Sequence, residues 1–452
     1  MCSQEFNNAN PDKIISKIQQ EIQKAEKDNS SSRLVSLRIE LGRIYQSENN
    51  LEGALTAMDK ALKAARESGD QELEAAALGA KGTVLAEDEQ MDQAFTCFQQ
   101  VRELGEQTEN YALECDAFSS MGMVQLETGD PAAAIENFNA ALKIARKNDD
   151  RVREMKQLSG LGNTYLHIAG EDEALHYFGQ ALEIAREIED EQSRAGFLNN
   201  MALIHENEKQ HEKSRELFEK VRVITNQIGD LRGELNALRH LINLYSGDNQ
   251  STDLILVFLK RAIALSEQLG DMPSFRAYTD ALILVLLAVN QNQEALEWID
   301  QELSDAEIDQ FPQRKMELLI NRGNACFDGK QFEDAEDAYG KAFVIARNLE
   351  DQAVKARLHG RLGAAAAELG NLAKAEEHAQ KSLEIAQEIE NQRLIVEQKV
   401  MLAFVNRDQG NISKAVAMCD DALSSLKEDS PDPLREKIKL LRDELIQQQK
   451  TG

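Results

Sequence analysis

Apolar residues in the segment 151–190 recur every three or four positions, in one run over 155–165 and a second over 174–184. A short polar stretch that contains Gly170 separates the two runs. This spacing is typical of α-helices with one buried face, so the segment predicts two helices joined by a tight turn. Because each helix carries a single apolar stripe, such a pair needs neighbours on both sides to bury it.

The same pattern returns every forty residues, which indicates an internal repeat. Small residues, which let two helices approach closely, stand at Gly42, Gly82, Gly122, Gly162, Ala202, Gly323, Gly363 and Ala403. A short acidic or amide residue that can cap the next helix stands at Asp70, Asn110, Asp150, Asp190, Asp230, Asp271, Asp351 and Asn391. We predict about ten repeats, which begin near residues 33, 73, 113, 153, 193, 233, 274, 314, 354 and 394. Each repeat covers its neighbour's apolar face, so the chain is predicted to be an all-α solenoid.

The repeat pattern is interrupted near its middle. One residue is inserted between repeats six and seven, most simply within 246–252, and an irregular acidic stretch at 304–312 replaces the usual end of repeat seven. Single capping helices are predicted at 12–27 and 433–448. The predicted domains are 1–32 (polar N-terminus and capping helix), 33–272 (repeats one to six), 273–313 (atypical apolar repeat seven with an irregular linker), 314–428 (repeats eight to ten) and 429–452 (C-terminal capping helix and tail).

Short motifs in the repeats resemble those of the tetratricopeptide repeat family, in its forty-residue variety. They are the Leu-Gly-Asn-x-Tyr sequence at 161–165, the Glu-Ala-Leu sequence at 173–175 and the Ala-Leu-x-Ile-Ala sequence at 181–185. The resemblance implies a right-handed superhelical solenoid of antiparallel helix pairs, whose first helices line a concave surface. It also implies a general protein-binding scaffold.

The predicted binding residues follow from the helical geometry of the first helices. When the repeated glycine or alanine is numbered eight, positions two, six, nine and thirteen lie opposite the apolar stripe. Several repeats carry amide, histidine or basic residues there: Lys156, Asn163, His167, Asn200, Asn207, Asn236, His240, Asn243, Asn321, Asn324, Arg357 and Arg361. Amides suit hydrogen bonding to the main chain of an extended peptide, so we predict a peptide groove. Hydrogen bonding between adjacent helices is the alternative.

Repeat seven breaks this polar pattern with Ala281, Leu284 and Ala288. One interpretation is a pocket for a bulky apolar anchor of a partner, because buried anchors carry most interface energy. The other is that the apolar residues pack against another part of the solenoid or against a second copy. Trp298, on the following helix, is interpreted as a packing residue.

The net charge of the chain indicates which classes of binding partner are favoured. Seventy-nine acidic and fifty-one basic residues leave a formal net charge of −28, which repels nucleic acids and anionic membranes. Solubility alone explains most of this charge, and a protein or peptide partner with a basic or amphipathic segment is favoured. Five scattered cysteines without a CxxC motif indicate reduced thiols and a cytoplasmic protein. The longest apolar run, 281–289, has about half the length that a membrane span needs.

Catalytic signatures do not occur in the sequence. None of the seven histidines forms an HExxH motif, and no glycine-rich phosphate loop or nucleophile elbow is present. We therefore predict a non-enzymatic scaffold or adaptor without a cofactor or metal. Two alternatives stay open: a regulatory sensor whose superhelix changes pitch when a peptide binds, with 304–312 as its hinge, and a structural homo-oligomer that assembles through repeats six and seven.

Overall fold

The protein is described here by a computed structural model that covers residues 11–246, 251–426 and 433–451. Over these residues it contains twenty-two α-helices, a short 3-10 helix at Ile308–Gln310 and no strand, which confirms the predicted all-α fold. The helices are α1 (Pro11–Lys27), α2 (Ser31–Ser47), α3 (Leu51–Ser68), α4 (Gln71–Glu87), α5 (Met91–Gln107), α6 (Tyr111–Glu127), α7 (Pro131–Lys147), α8 (Arg151–His167), α9 (Glu171–Glu187), α10 (Glu191–Asn207), α11 (His211–Ile228), α12 (Leu231–Tyr245), α13 (Thr252–Leu269), α14 (Met272–Ala288), α15 (Asn292–Leu303), α16 (Pro312–Asp328), α17 (Phe332–Asn348), α18 (Gln352–Glu368), α19 (Leu372–Glu388), α20 (Gln392–Asp408), α21 (Ile412–Ser424) and α22 (Pro433–Thr451).

These helices form two compact units, Met1–Leu244 and Tyr245–Gly452. In both units consecutive helices pack as pairs, and first helices of successive repeats touch, as α6 and α8 do in the first unit and α18 and α20 in the second. The single helices α1 and α22 pack on α2 and α21. The division falls within repeat six, because α12 ends at the boundary and α13 belongs to the second unit.

The repeated glycine makes room for an aromatic or methionine side chain sixteen residues later. A Cβ added at Gly162 would lie 2.7 Å from the Phe178 ring, and one added at Gly82 would lie 2.7 Å from the Phe98 ring. The same contact recurs in the pairs Gly42–Met58, Gly122–Phe138 and Gly323–Tyr339. In these five repeats glycine is therefore needed because two paired helices touch there with a ring or a methionine side chain in between. At Gly363 the residue sixteen positions later is Ala379, and the two helices approach each other directly.

This packing predicts opposite effects for two glycine-to-alanine changes in neighbouring helices. Gly162→Ala should lower the free energy of unfolding by about 1–3 kcal/mol, because the new methyl group collides with a buried ring. Gly179→Ala on α9 should raise it by about 0.5–1 kcal/mol, because nothing lies within 4 Å and alanine favours the helix. Urea unfolding followed by circular dichroism measures both changes. Shifts of the same sign for the two variants would contradict this packing.

The acidic and amide series caps the helices, as predicted. Asp190 Oδ1 accepts a hydrogen bond from the backbone N–H of Ser193 at 3.0 Å, at the start of α10. The equivalent side-chain caps are made by Asp70, Asn110, Asp150, Asp230, Asp271, Asp351 and Asn391. Each cap is preceded by a residue with positive φ that reverses the chain, such as Glu189. The acidic and amide series therefore marks the starts of helices and is explained without a ligand.

The irregular stretch that follows α15 is held by charged and apolar contacts. Ile308 is buried beside Ile283, Ile299 and Leu318, with Trp298 packed against this cluster. Arg314 pairs with Glu302 at 2.8 Å and with Asp280 at 2.9 Å. α15 has twelve residues where most helices have seventeen, and these contacts take the place of its missing last turn. The predicted insertion at 246–252 falls partly on 247–250, which lie outside the described residues.

Two histidines face each other in the second unit. His359 Nδ1 and His378 Nδ1 lie 2.8 Å apart, and the Phe343 ring covers His359 at a centroid distance of 4.6 Å. Burial, and next the neighbouring His378, lower the pKa of His359 to about 4, and burial also lowers the pKa of His378. Both rings are therefore neutral in the folded protein near pH 7.

This pair predicts a loss of stability as the pH falls. In the unfolded chain a histidine takes up a proton near pH 6.5, whereas folded His359 does so only near pH 4. The contribution of His359 to the free energy of unfolding is therefore fully present above about pH 6.5 and declines toward pH 4. The loss is about 1 kcal/mol over the first unit of pH below 6.5. Urea unfolding monitored by Trp298 fluorescence, from about pH 7.5 to 5.5, measures this loss. His359→Gln should flatten the profile, and parallel profiles for the two proteins would contradict the assignment.

Candidate functional site

A groove of about 810 Å³ runs along the first unit, lined mainly by the first helices α6, α8, α10 and α12. Four of the predicted binding residues line it: Lys156, Asn163, Asn200 and Asn236. Helical periodicity places them there, because positions two, six and nine of each first helix share one side. We call this surface the amide groove.

Sequence reasoning missed a further row of small polar residues in the amide groove. Ser119, Ser159 and Asn199 occupy position five of their helices and line it. Position five lies about 70° from the centre of the predicted stripe, at 100° per residue, and so it was not among the four positions considered. A signal was present, since these residues follow one another at the same forty-residue spacing.

Some amides of the amide groove are hydrogen-bonded to other side chains, and others are not. Asn236 Nδ2 donates to Asn199 Oδ1 at 3.3 Å, and Asn236 Oδ1 accepts from Arg239 at 2.6 Å, as the inter-helix alternative predicts. Within the described chain, by contrast, the side chains of Asn163 and Asn200 have no hydrogen-bond partner. These two amides are free to bind a ligand.

Apolar side chains stand among these polar groups. Met123 and Val152 are 55% and 48% exposed, although both are large apolar residues on lining helices. The Phe138 ring lies below Gly160, where an added Cβ would be 2.6 Å from it, and Gly196 faces open space. Gly160 therefore makes room for the Phe138 ring, whereas Gly196 leaves backbone accessible on the groove wall, where a ligand chain can approach closely.

The remaining predicted residues of the first unit are placed differently. The exposed side chains of His167, Asn207 and Asn243 do not belong to the described lining of the amide groove. The His240 ring stacks on Phe218 with a centroid distance of 4.5 Å, and its Nδ1 lies 2.8 Å from Glu206. A role for these four residues in binding stays a prediction.

A second cleft, of about 560 Å³, lies in the second unit between α14, α16, α17 and α18. Five predicted residues line it: Leu284, Ala288, Asn321, Asn324 and Arg361. Leu287, Phe327, Asp328, Tyr339 and Ala364 complete it. Arg357 is exposed one turn before Arg361 on α18, and Ala281 is half-buried one turn before Leu284. We call this surface the arginine cleft.

Tyr339 connects the polar residues of the arginine cleft. Its side chain is 2% exposed, and its hydroxyl donates to Asn324 Oδ1 at 2.9 Å. Burial raises the pKa of Tyr339 to about 12, so the phenol keeps its proton and remains a donor. The Arg361 guanidinium lies over the ring, 5.7 Å from its centroid. Sequence reasoning found Asn324 and Arg361 but not the tyrosine that orients them.

A comparison of the sequence with models of known protein families identifies the family of this chain. The tetratricopeptide repeat model matches residues 33–107, 73–147, 113–187 and 314–388, which together span just over half of the chain. The chain belongs to the tetratricopeptide repeat family. Repeats of this family typically form protein-interaction scaffolds and not enzymes.

Solved structures with similarity to this tetratricopeptide repeat chain include aspartyl phosphate phosphatase F from Bacillus subtilis, at 14% identity and TM-score 0.43, covering 75% of this chain and 94% of the other. A Rap protein complexed with competence and sporulation factor matches at 14% identity and TM-score 0.37, over 75% and 99%. The tetratricopeptide repeat domain of P58(IPK) matches at 16% identity and TM-score 0.28, over 92% and 99%. Scores this low carry no argument about function. No curated protein matches the sequence.

Four of the cysteines of this tetratricopeptide repeat chain lie in its core. Cys97, Cys115, Cys326 and Cys419 are buried and free, and burial raises the pKa of each thiol, to about 11 for Cys115 and Cys419. The described residues hold no group of three histidine, cysteine or acidic side chains placed to bind a metal ion. No helix in the described ranges has the length and apolar character required to cross a membrane.

Proposed function

We propose that this tetratricopeptide repeat protein is a non-enzymatic, cytoplasmic scaffold or adaptor that holds an extended segment of a partner protein in the amide groove. The observation that carries the proposal is the pair Asn163 and Asn200. Both amides are without a hydrogen-bond partner among the described residues, on neighbouring first helices, above an exposed apolar floor. An amide both donates and accepts, and so it matches the alternating N–H and C=O groups of a peptide main chain.

The spacing of the amide groove suits an extended ligand. Packed helices lie about 8–10 Å apart, and an extended chain rises about 3.3 Å per residue. Asn163 on α8 and Asn200 on α10 therefore meet main-chain groups about three residues apart. A segment that reaches from α6 to α12 has about ten residues, and its side chains alternate between solvent and the Met123–Val152 floor.

The amide groove has few charged side chains that could pair with a ligand, so its contacts with a bound peptide are mainly neutral hydrogen bonds. Lys156 is the one basic residue among the described lining residues, and the two lining carboxylates, Asp190 and Asp230, already accept backbone N–H groups as helix caps. The net charge of −28 acts over a longer range and attracts basic regions of a partner that flank the bound segment.

The sensor alternative finds less support in specific contacts than the scaffold does. The proposed hinge at 304–312 is held by Arg314, by the buried Ile308, and by Arg276, whose guanidinium lies 4.1 Å from the centroid of the Phe311 ring. These contacts favour a scaffold whose second unit keeps its internal geometry.

The oligomer alternative involves the apolar residues of repeats six and seven. In the apolar segment 254–259 of repeat six, only Val257 among the apolar residues is strongly exposed, whereas repeat seven exposes Met272, Leu284 and Val289. Assembly through repeat seven remains the second candidate function.

Binding of selected peptides tests the proposal. Random peptides of about twelve residues, slightly longer than the segment that spans the four helices, are displayed and selected on the full chain, and Kd is then measured by fluorescence polarisation. The double variant Asn163→Ala/Asn200→Ala should weaken binding of the selected peptides about ten- to thirtyfold, since it removes two sets of hydrogen bonds.

The matched control for this test is Lys143→Ala/Glu183→Ala, which removes two exposed side chains from α7 and α9 outside the described lining. The control should bind as the wild type does. If both double variants leave Kd unchanged, the amide groove is not where the peptide binds, and the proposal fails.

A further inference from the structure

We propose that the junction between α17, α18 and α19 in the second unit binds a phosphate monoester through Arg347, Lys355 and Lys381. We call this surface the basic junction. The inference goes beyond the proposed scaffold function, because it assigns a second kind of ligand at a place that the amide groove does not include. Equivalent positions in the first unit show how the three side chains of such a junction meet.

Two junctions of the first unit are closed by an ion pair and an amide. Where α7, α8 and α9 meet, Arg146 donates to Glu154 Oε1 at 2.8 Å and to Gln180 Oε1 at 3.1 Å. The same contacts recur where α3, α4 and α5 meet, at 2.7 and 3.5 Å, among Arg66, Glu74 and Gln100. Side chains at these three positions therefore reach one another, and a carboxylate lies next to the arginine.

The basic junction occupies the same helix positions. α17, α18 and α19 each have seventeen residues, as α7, α8 and α9 do, and α18 packs on both α17 and α19. Arg347, Lys355 and Lys381 are the sixteenth, fourth and tenth residues of their helices. The residues at these positions of α7, α8 and α9 are Arg146, Glu154 and Gln180. Repeats of equal length place equivalent residues alike, so three basic side chains meet where the first unit has one.

The basic junction lacks the negative charge that closes the other two. Among the described residues neither Arg347 nor Lys355 has a carboxylate within 4.0 Å, although the chain carries twenty-eight more acidic than basic residues. Lys381 pairs with Glu377 at 2.6 Å, but these side chains are 49% and 62% exposed. A pair this exposed adds little stability, so Lys381 is available to a ligand. Three cations and one carboxylate leave an excess of two positive charges.

Another junction with three basic residues differs in its neighbouring carboxylates. The equivalent positions of α9, α10 and α11 hold Arg186, Arg194 and Lys220. Each of these cations pairs with a carboxylate of its own helix at 3.0 Å or less, and the three partners are Glu183, Glu191 and Glu216. Their charges cancel, so we assign a ligand to the basic junction of the second unit alone.

A phosphate monoester suits the basic junction better than a carboxylate does. It carries about two negative charges at pH 7 and three strong acceptor oxygens, which match three cationic groups from three helices. The arginine can bind two of these oxygens at once, and each lysine acts as a point charge. Because the net charge of −28 repels polyanions, a single phosphate group fits the site better than a nucleic acid does.

Isothermal titration calorimetry of the full chain at constant ionic strength measures this binding. The probes are inorganic phosphate, acetate, and a glycine–serine peptide with or without a phosphate on its central serine. Inorganic phosphate should bind at least tenfold tighter than acetate, because it offers more charge and more acceptors. The phosphorylated peptide binds tighter than inorganic phosphate if the group belongs to a partner protein, and more weakly if it belongs to a small solute.

A charge reversal at the basic junction locates the site. Lys355→Glu supplies the carboxylate that the equivalent position of α8 carries, so this variant should stay folded and bind inorganic phosphate at least tenfold more weakly. The matched control is Lys414→Glu, which makes the same change at an exposed side chain on α21 without an ion-pair partner in the described chain. The control should bind phosphate as the wild type does.

A second pair of variants removes charge without reversing it. Arg347→Gln should weaken phosphate binding about tenfold, and Glu377→Gln should strengthen it. The control Arg357→Gln removes an arginine two residues beyond Lys355, which therefore lies on the opposite side of α18. This control should leave Kd unchanged. Circular dichroism verifies that each variant is folded.

Several outcomes overturn the inference. Acetate binding as tight as phosphate binding, no measurable phosphate binding, or an unchanged Kd in both Lys355→Glu and Arg347→Gln would each do so. A loss in Arg357→Gln but not in Arg347→Gln would place the phosphate elsewhere and contradict the site. Peptides selected for the amide groove should bind Lys355→Glu normally, and Asn163→Ala/Asn200→Ala should bind phosphate normally. Each proposal can therefore fail without the other.

Discussion

Replacement of Phe178 by alanine should lower the free energy of unfolding of the first unit by about 3–5 kcal/mol. The ring is fully buried between α8 and α9, with Gly162 against its edge and the Phe197 ring at a centroid distance of 6.4 Å. Truncation removes these contacts and leaves a cavity that the rigid helix pair cannot close. Because repeats stabilise mainly their neighbours, the loss should stay within the first unit.

Two spectroscopic signals separate the units in this experiment. Circular dichroism follows all helices, whereas the single tryptophan, Trp298, reports on the second unit alone. Phe178→Ala should move the circular dichroism transition to lower urea and leave the Trp298 transition in place. The control His176→Ala removes an exposed neighbour on α9 and should change stability by less than about 0.5 kcal/mol. Equal effects of the two variants would contradict this view of the core.

Replacement of Arg314 by methionine should destabilise the second unit by about 3–5 kcal/mol. The arginine and Glu302 are 13% and 7% exposed, so the variant leaves a buried carboxylate without its cation. The same side chain ties α16 to Asp280 on α14. Trp298 lies on α15 together with Glu302, and so its fluorescence transition measures this loss.

The double variant Arg314→Met/Glu302→Gln distinguishes a charge effect from a packing effect. Removal of both charges should restore most of the lost stability, because the penalty in the single variant comes from an unpaired charge. If the double variant is as unstable as the single one, the arginine acts through packing. A loss of less than about 1 kcal/mol in the single variant would show that the pair does not hold the 304–312 segment.

The fold could be predicted in detail because each sequence series has a local physical cause. Gly162 is small because Phe178 fills the space above it, and Asp190 is acidic because the first N–H groups of α10 need an acceptor. Such causes act within one helix pair, and so they appear in the sequence at the repeat period. The division between the two units at Leu244 has no such series, and the sequence indicates it only through the residue inserted just after it, within 246–252.

The site could be predicted only in part. Helical periodicity predicts that Asn163 and Asn200 lie on one surface. It does not predict which amides are hydrogen-bonded to other side chains of the protein. Asn236 is bonded to Asn199, thirty-seven residues away, and Asn324 is bonded to Tyr339, fifteen residues away. These contacts depend on the distances between helices, which a residue pattern does not contain.

Photo-crosslinking shows whether a partner segment lies in the amide groove. A photoreactive amino acid is introduced at Ser159 in the amide groove or, in a separate variant, at Glu183, which is exposed on α9 outside the described lining. A selected peptide bound to the full chain should crosslink at position 159 and not at position 183, and unlabelled peptide should compete. Crosslinking at position 183 alone, or equally at both positions, would contradict the account.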